Sequence, residues 1–268
     1  GKLLGAASVS ASPELHFDFP KIAGTQPYHY NDIVSIKSLI DKFRQDNGES
    51  DIYAILVEPL NASSMRKCSQ EFLLELRKIC NNEEIVLIFD EVYTGWGKTG
   101  ELFYFMHYDD LIPDILTYAK SFGGGKSSIS GYTAREHIFR RAYDNLNDAT
   151  LHSTTYYGFG EECATAIEAL NILVEEKFIA NAKSIGFMFD EGLSALRGKY
   201  PNIISEVRGS GALWGIVLNT NISTKIMSIV AKLIPVDILK DKNFMSKLVT
   251  ATVISELYNK HNILSFYG

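Results

Sequence analysis

The sequence has only three cysteines among its 268 residues, Cys68, Cys80 and Cys163. They are too few and too widely separated for a disulfide framework, and no two have the C-x-x-C spacing of a zinc or redox site. The six histidines form no i, i+4 pair, so we assign none of them to a metal. The sequence therefore predicts reduced cysteines in a cytoplasmic protein without a metal site.

Basic residues and long apolar runs are also scarce. Lys and Arg number 26 against 32 Asp and Glu, for a net charge of −6, and no basic cluster is present. This balance argues against a nucleic-acid or anionic-membrane partner. No stretch approaches the roughly 20 apolar residues that span a bilayer, and the first residues lack the apolar segment of a signal peptide. The chain opens on Gly1 without a methionine, so we expect a natural N-terminus to be missing.

Four short apolar runs alternate with segments of helical periodicity in the first half of the chain. The runs cover residues 52–59, 85–92, 114–120 and 128–134. Between the first two runs, apolar residues recur at helical spacing: Phe72, Leu73, Leu76, Ile79 and Cys80. This alternation is typical of a mostly parallel sheet covered by helices, so the expected fold class is α/β.

The pattern changes in the second half. Residues 161–200 read as two helices, with one apolar stripe formed by Ala164, Ile167, Ala169, Leu170, Leu173 and Val174. Beyond Pro201, residues 204–218 indicate a glycine-hinged strand pair, followed by helical stretches near 222–233 and 243–260 and a last strand at 263–268. We therefore predict a domain boundary near residue 201.

Two ionisable residues follow buried strands. Asp90 ends a run of five apolar residues, which places its carboxylate at the carboxyl edge of the sheet, where open α/β sheets bind ligands. Lys120 ends another run and precedes three glycines; partial desolvation there would favour the neutral amine that attacks a carbonyl. A capping or ion-paired aspartate and a surface lysine are the alternative interpretations.

A third polar cluster, Ser153, Thr154 and Thr155, precedes the helix that starts near residue 161. Hydroxyls and backbone N–H groups before a helix are suited to phosphate, although an ordinary N-cap cluster has the same composition. Pyridoxal phosphate chemistry requires a lysine, an acid for the pyridine nitrogen and donors for the phosphate. The three features together match that requirement.

Five segments resemble, in order and spacing, the landmarks of class III pyridoxal-phosphate-dependent aminotransferases, a family that includes ornithine, acetylornithine, 4-aminobutyrate and putrescine enzymes. The segments are VEP (57–59), LIFDEVYTGWGKTGELF (87–103), PDILTYAKSFGGG (113–125), HSTTYYGFGEECATA (152–166) and VRGSGALWGI (207–216). The resemblance runs from about residue 1 to residue 219. It implies a fold-type-I-like large domain at residues 1–200 and a partial small α+β domain at 201–268.

The resemblance also implies roles for six residues. These are Lys120 as the Schiff-base lysine, Asp90 at the pyridine nitrogen, Val92 on one face of the ring, Tyr93 near the ring hydroxyl where the family usually has glutamine, Thr155 on the phosphate of the neighbouring subunit's cofactor, and Glu58 at the edge of the site. Lys120 and Asp90 would be catalytic. The implied reaction is a ping-pong transfer of an amino group from an amine or ω-amino acid to a 2-oxo acid, carried out by a homodimer.

The sequence departs from the family pattern at several places. Residues 61–63 are Asn, Ala and Ser where the family commonly has a gating glutamate, and Tyr157, Phe159 and Gly160 replace Gly, Asn and Pro. The family's ring-stacking aromatic would precede residue 1 and its substrate-binding arginine would follow residue 268, so we expect a chain truncated at both ends. A pyridoxal-phosphate aminomutase or epimerase, and a degenerate copy acting as a binding or dimerisation module, are the alternatives.

Overall fold

The computed structural model describes residues 3–11, 20–219 and 242–266, with the backbone alone described for residues 242–246. The chain forms two compact units. The first comprises Gly1–Pro59, Cys68–Tyr93 and Phe105–Ile167, and the second comprises Leu60–Lys67, Thr94–Tyr104 and Glu168–Gly268. Each unit thus combines several stretches of the chain. The domain boundary that the sequence suggests near residue 200 stays a prediction.

The first unit contains a four-stranded sheet in the order β1-β2-β3-β4. Its strands are β1 (Ala54–Val57), β2 (Val86–Asp90), β3 (Ile115–Tyr118) and β4 (Gly131–Ala134). The first three strands are parallel and β4 runs antiparallel to β3. The four strands predicted from the apolar runs are therefore confirmed, as is the mostly parallel sheet.

Helices follow and precede these strands. They are α1 (Leu4–Val9), α2 (Ile33–Lys42), α3 (Gln70–Asn82), α4 (Glu136–Tyr143) and α5 (Gly160–Glu175), with short 3-10 turns at Tyr104–His107, Lys120–Gly123 and Leu146–Asp148. The Ser69 hydroxyl accepts a hydrogen bond from the Phe72 N–H and so begins α3. All five apolar residues of the predicted α3 stripe are buried. Together with Leu87 and Phe89 of β2 they form part of the core of this unit, where each buried Leu, Ile or Phe side chain contributes about 1.5–3 kcal/mol.

Strand β1 departs from the expectation of a fully buried strand. Ile55 and Val57 are buried, but Leu56 between them is exposed. Within the described residues β1 is an edge strand, and one of its carbonyls and the carbonyl of the residue that follows it accept hydrogen bonds from side chains. The Tyr28 hydroxyl donates to the Leu56 carbonyl and the Tyr30 hydroxyl to that of Glu58, both at 3.1 Å. Burial raises the pKa of the Tyr28 hydroxyl, so this group remains a donor up to a higher pH than an ordinary tyrosine would.

The apolar stripe predicted on α5 is not a buried face of the described structure. Ile167 and Val174 are well exposed, whereas Ala166, which lies off the predicted stripe, is buried. The periodicity correctly predicts the helix. It does not predict which side of the helix the described residues cover.

The second unit contains α6 (Phe178–Lys199), the antiparallel pair β5 (Ile204–Ser210) and β6 (Leu213–Leu218), and α7 (Lys242–His261). The strand pair and the helix predicted at 243–260 are confirmed. The helix predicted at 222–233 lies outside the described residues. The predicted last strand is wrong over residues 263–266, which have no regular structure, since no described strand pairs with them. No described helix is both long enough and apolar enough to cross a membrane.

Gly211 forms the turn between β5 and β6 and requires the absence of a side chain. Its φ of 56° is in the left-handed region, and a Cβ there would collide with the backbone of Lys98 and Thr99. The close approach allows two hydrogen bonds beside Gly211. The Ala212 N–H donates to the Lys98 carbonyl at 2.8 Å, and the Ser210 hydroxyl donates to the Thr99 carbonyl at 3.0 Å. The two glycine-rich segments that the sequence separates by about a hundred residues are thereby joined.

Asp114 connects four segments of the first unit at the amino ends of the strands. Its Oδ2 accepts hydrogen bonds from Arg77 Nη1 of α3 and from the Leu87 N–H of β2, both at 2.8 Å. Its Oδ1 lies 3.1 Å from Nε of Arg135, the residue that precedes α4. The Asp114 N–H donates to the Leu87 carbonyl, and the Asp114 carbonyl accepts from the Arg135 N–H. Since Arg77 and Asp114 are both buried, this ion pair is shielded from water.

Replacement of Asp114 by asparagine is expected to lower the free energy of unfolding by about 3 kcal/mol, because a buried guanidinium at Arg77 would lose its counter-charge. Urea denaturation followed by circular dichroism measures this loss. Glu75→Gln is the control: it removes the Lys37–Glu75 pair, which is largely exposed, and is expected to cost less than about 1 kcal/mol. Equal losses in the two variants would contradict a special role for Asp114.

Candidate functional site

Three of the predicted site residues follow three neighbouring parallel strands. Glu58 comes directly after β1, Asp90 is the last residue of β2, and Lys120 comes two residues after β3. In the register, Val57 lies opposite Phe89 and Asp90 lies opposite Thr117. Because carboxyl ends of parallel strands meet at one edge, the structure brings these three residues to the same edge of the sheet.

The Asp90 side chain is half-buried and is held by the turn that follows it. Its Oδ1 accepts a hydrogen bond from the Val92 N–H at 3.0 Å, which bends the chain away from the strand. Among the described residues, Oδ2 of Asp90 has no hydrogen-bond partner. One oxygen is therefore fixed in place while the other can accept an N–H group from a ligand.

Lys120 begins the 3-10 turn Lys120–Gly123 and has a φ of 49°, in the left-handed region that a lysine seldom adopts. The turn is closed by hydrogen bonds from the Phe122 N–H to the Ala119 carbonyl and from the Gly124 N–H to that of Ser121. The Lys120 side chain is exposed, so the expected partial desolvation is wrong for this structure. The strand ends at Tyr118, and the lysine consequently lies beyond the sheet rather than inside it.

Tyr93 brings the two motifs into contact. The Lys120 Nζ lies 5.2 Å from the centroid of the Tyr93 ring, within the range of a cation–π interaction. Tyr93 and Val92 are half-buried and belong to the turn that the Asp90 carboxylate holds. The segment after β2 and the lysine after β3 thus form one cluster.

Glu58 is positioned through its backbone. Its carbonyl accepts the Tyr30 hydroxyl at 3.1 Å, and the Cys68 Sγ approaches the same oxygen at 3.9 Å. The side chain is half-buried. Tyr30 therefore supports Glu58, the predicted site residue that follows β1, and no sequence pattern predicted this role.

Thr155 lies apart from this cluster in its contacts. It occupies an exposed turn ahead of α5, and no described contact joins it to the other predicted site residues. The neighbouring Ser153 hydroxyl donates to the Thr150 carbonyl at 3.4 Å. A role for Thr155 at the cofactor of a second subunit stays a prediction.

Glu91 is a buried carboxylate that sequence reasoning missed. It is fully inaccessible to solvent, its Oε1 accepts the Phe105 N–H at 2.9 Å, and its own N–H donates to the Thr117 carbonyl at 3.0 Å. It therefore extends the β2–β3 pairing one residue past Asp90 and fixes the segment that returns at Phe105. The sequence feature that could have revealed Glu91 is an acidic residue within a mostly apolar run, shortly before a glycine-rich loop.

The side-chain groups of Lys120 and Asp90 fit pyridoxal phosphate. A primary amine and a carboxylate are two of the groups that this cofactor requires, and Lys120 and Asp90 supply one of each at this edge of the sheet. The described residues contain no group of three or more His, Cys, Asp and Glu side chains that could hold a metal ion. The assignment of each side chain to a particular cofactor atom stays a prediction.

Solved structures similar to this chain are transaminases. An ornithine aminotransferase from Toxoplasma gondii, whose active site holds pyridoxal phosphate at partial occupancy, is 27% identical with a TM-score of 0.71; the match covers 82% of this chain and 49% of that one. A transaminase from the marine bacterium Virgibacillus is 26% identical with a TM-score of 0.70 and coverages of 81% and 50%. An (S)-enantioselective ω-transaminase from Thermomicrobium roseum is 26% identical with a TM-score of 0.71, and the match covers 81% of this chain and 51% of that one.

This chain therefore spans about half the length of the solved structures it matches. The likeness confirms the α/β fold of the pyridoxal-phosphate fold-type-I enzymes, which the resemblance of the five sequence segments implied. The family model for class III aminotransferases matches residues 1–258, which is nearly the whole sequence. The chain belongs to the class III aminotransferase family.

Proposed function

We propose that the protein is a pyridoxal-phosphate-dependent aminotransferase that moves an amino group from an amine or ω-amino acid to a 2-oxo acid. The observation that carries the proposal is the contact between Lys120 and Tyr93, because it joins the lysine after β3 to the segment held by Asp90. Family membership and the transaminase neighbours support the same reaction.

Two residues of the cluster, Asp90 and Lys120, have defined tasks in this proposal. When bound, the cofactor supplies a ring that withdraws electrons from the amino-bearing carbon of the substrate. Asp90 accepts the pyridine N–H with the oxygen that Val92 leaves available. Lys120 would hold the cofactor through its amine. Once the donor amine has taken its place, the freed Lys120 amine would accept a proton from the substrate carbon, hold it and give it back. Its exposed side chain has the freedom that this second task requires.

The neighbours guide the choice of donor class. One of them is an ornithine aminotransferase and another an ω-transaminase, so both an amino acid with a second amine and a simple amine fit the proposal. The loop at residues 61–66 contains no carboxylate. Instead, the Asn61 side-chain oxygen accepts hydrogen bonds from Ser63 and Ser64 and so stabilises its own turn. A carboxylate gate at this loop is therefore not part of the proposed mechanism.

We also propose that the functional unit is a homodimer. The stretch from residue 146 to residue 167 carries apolar and aromatic side chains that are each at least 60% exposed: Leu146, Leu151, Tyr156, Tyr157 and Ile167. Apolar residues grouped in this way are typical of an interaction surface. Thr155, the residue expected at a neighbouring cofactor, lies in the same stretch.

A cytoplasmic location is the remaining part of the proposal. All three cysteines are unpaired, with Cys68 and Cys80 buried and Cys163 half-buried. Unpaired thiols suit a reducing compartment. The acidic net charge is compatible with that location.

Addition of pyridoxal phosphate is expected to produce a visible absorbance band. Borohydride should then remove the band, because it reduces the C=N bond to a secondary amine that leaves the cofactor permanently attached. Lys120→Ala should abolish this band, because the amine that bonds to the cofactor is removed. Lys126→Ala is the matched control, since Lys126 is an exposed lysine of the same glycine-rich segment and should leave the band unchanged. A band of equal strength in Lys120→Ala would contradict the proposal.

The homodimer is tested by sedimentation equilibrium. Leu151→Asp is expected to raise the dimer dissociation constant at least about 10-fold, because it places a charge on the exposed apolar stretch. Val34→Asp introduces the same charge at an exposed valine of α2, outside that stretch, and should have no effect. If the wild-type chain sediments as a monomer at all concentrations, the exposed stretch is not a dimer interface of this chain.

Thiol titration tests the reduced state of the cysteines. Burial raises the pKa of the Cys68 and Cys80 thiols to about 12 for each, so neither ionises appreciably near pH 8. Ellman's reagent at pH 8 is therefore expected to modify Cys163 first, and all three thiols after unfolding in urea. A total below three in urea would indicate a disulfide and would argue against the cytoplasmic proposal.

A further inference from the structure

Tyr93 is the side chain that meets the Lys120 ammonium. The Nζ lies 5.2 Å from the centroid of the Tyr93 ring, whereas the described residues offer Lys120 no ion pair and no side-chain hydrogen bond. A tyrosine ring attracts an ammonium group through its negative face. The contact does not depend on the hydroxyl of the tyrosine.

Both partners of this contact are held by their backbones. Tyr93 follows the turn that the Asp90 carboxylate fixes through the Val92 N–H, and its ring is half-buried. Lys120 is fixed at a left-handed φ by the hydrogen-bonded turn that ends at Gly124. The exposed Lys120 side chain can adopt several rotamers from this fixed backbone, and in one of them its amine lies over the Tyr93 ring.

We propose that Tyr93 is a positioning residue for Lys120, acting through the face of its ring. The importance of this role rests on the proposed function, in which Lys120 is the residue that bonds to the cofactor. The contact itself does not depend on that function. Whenever the lysine is not bonded to the cofactor, Tyr93 retains its amine at the sheet edge beside the Asp90 segment. A cation–π contact at an exposed site favours the stacked rotamer by about two- to five-fold.

The contact can be measured on the cofactor-free, full chain by NMR. Reductive methylation with ¹³C-formaldehyde converts each lysine to a dimethylammonium group that keeps its charge, and Lys120→Arg identifies the Lys120 resonance by its loss. Methyl groups above an aromatic ring shift upfield. We therefore expect an upfield Lys120 resonance in the wild-type chain.

Two substitutions separate the ring from the hydroxyl. Tyr93→Phe keeps the ring face and is expected to keep the upfield position. Tyr93→Leu removes the ring and should move the Lys120 resonance to that of an ordinary exposed lysine such as Lys126. Circular dichroism verifies that the variants are folded.

The inference is overturned if the wild-type Lys120 resonance coincides with that of Lys126, or if Tyr93→Phe loses the upfield shift. These two comparisons decide the matter even where Tyr93→Leu does not fold. A ring-dependent shift in a chain that gives no visible band with pyridoxal phosphate would support the positioning role and count against the proposed function. The positioning role of Tyr93 and the proposed function can therefore be refuted independently of each other.

Discussion

The carboxylate of Asp114 receives two guanidinium groups and a strand N–H in the interior of the first unit. Burial of a carboxylate is unfavourable unless each of its oxygens has a hydrogen-bond or ion-pair partner, and both oxygens of Asp114 have one. Because its partners belong to α3, to β2 and to the residue before α4, the ion pair fixes these elements in one arrangement. The parallel register of β2 and β3 depends on it at the amino ends of the strands.

The candidate site lies at the other ends of the same strands. With β2 and β3 held in register, Asp90 and Lys120 emerge at one edge, and Glu91 carries the pairing one residue further before the chain turns. That turn delivers Tyr93 to Lys120. The loops of the candidate site thus follow short strands whose register is held at their opposite, amino ends, and ligands of such sheets bind at the carboxyl ends.

The sequence predicted the strands, most helices and the edge positions of Asp90 and Lys120, because apolar runs and strand ends are local signals. It did not predict that Lys120 is exposed, since the left-handed turn after Tyr118 is set by hydrogen bonds among residues 119–124. It missed Glu91 and Tyr30, whose partners are backbone groups remote in sequence or on another element. The strand predicted at residues 263–266 was wrong because an apolar run needs a partner strand as well as a composition.

The left-handed backbone at Lys120 sets stability against chemistry at one position. A lysine in this conformation costs roughly 1–2 kcal/mol that a glycine at the same position would avoid. Nearby Gly124 and Gly125 adopt positive φ in the same segment. A glycine at residue 120 would therefore relax the turn, but it would also remove the amine on which the proposed reaction depends.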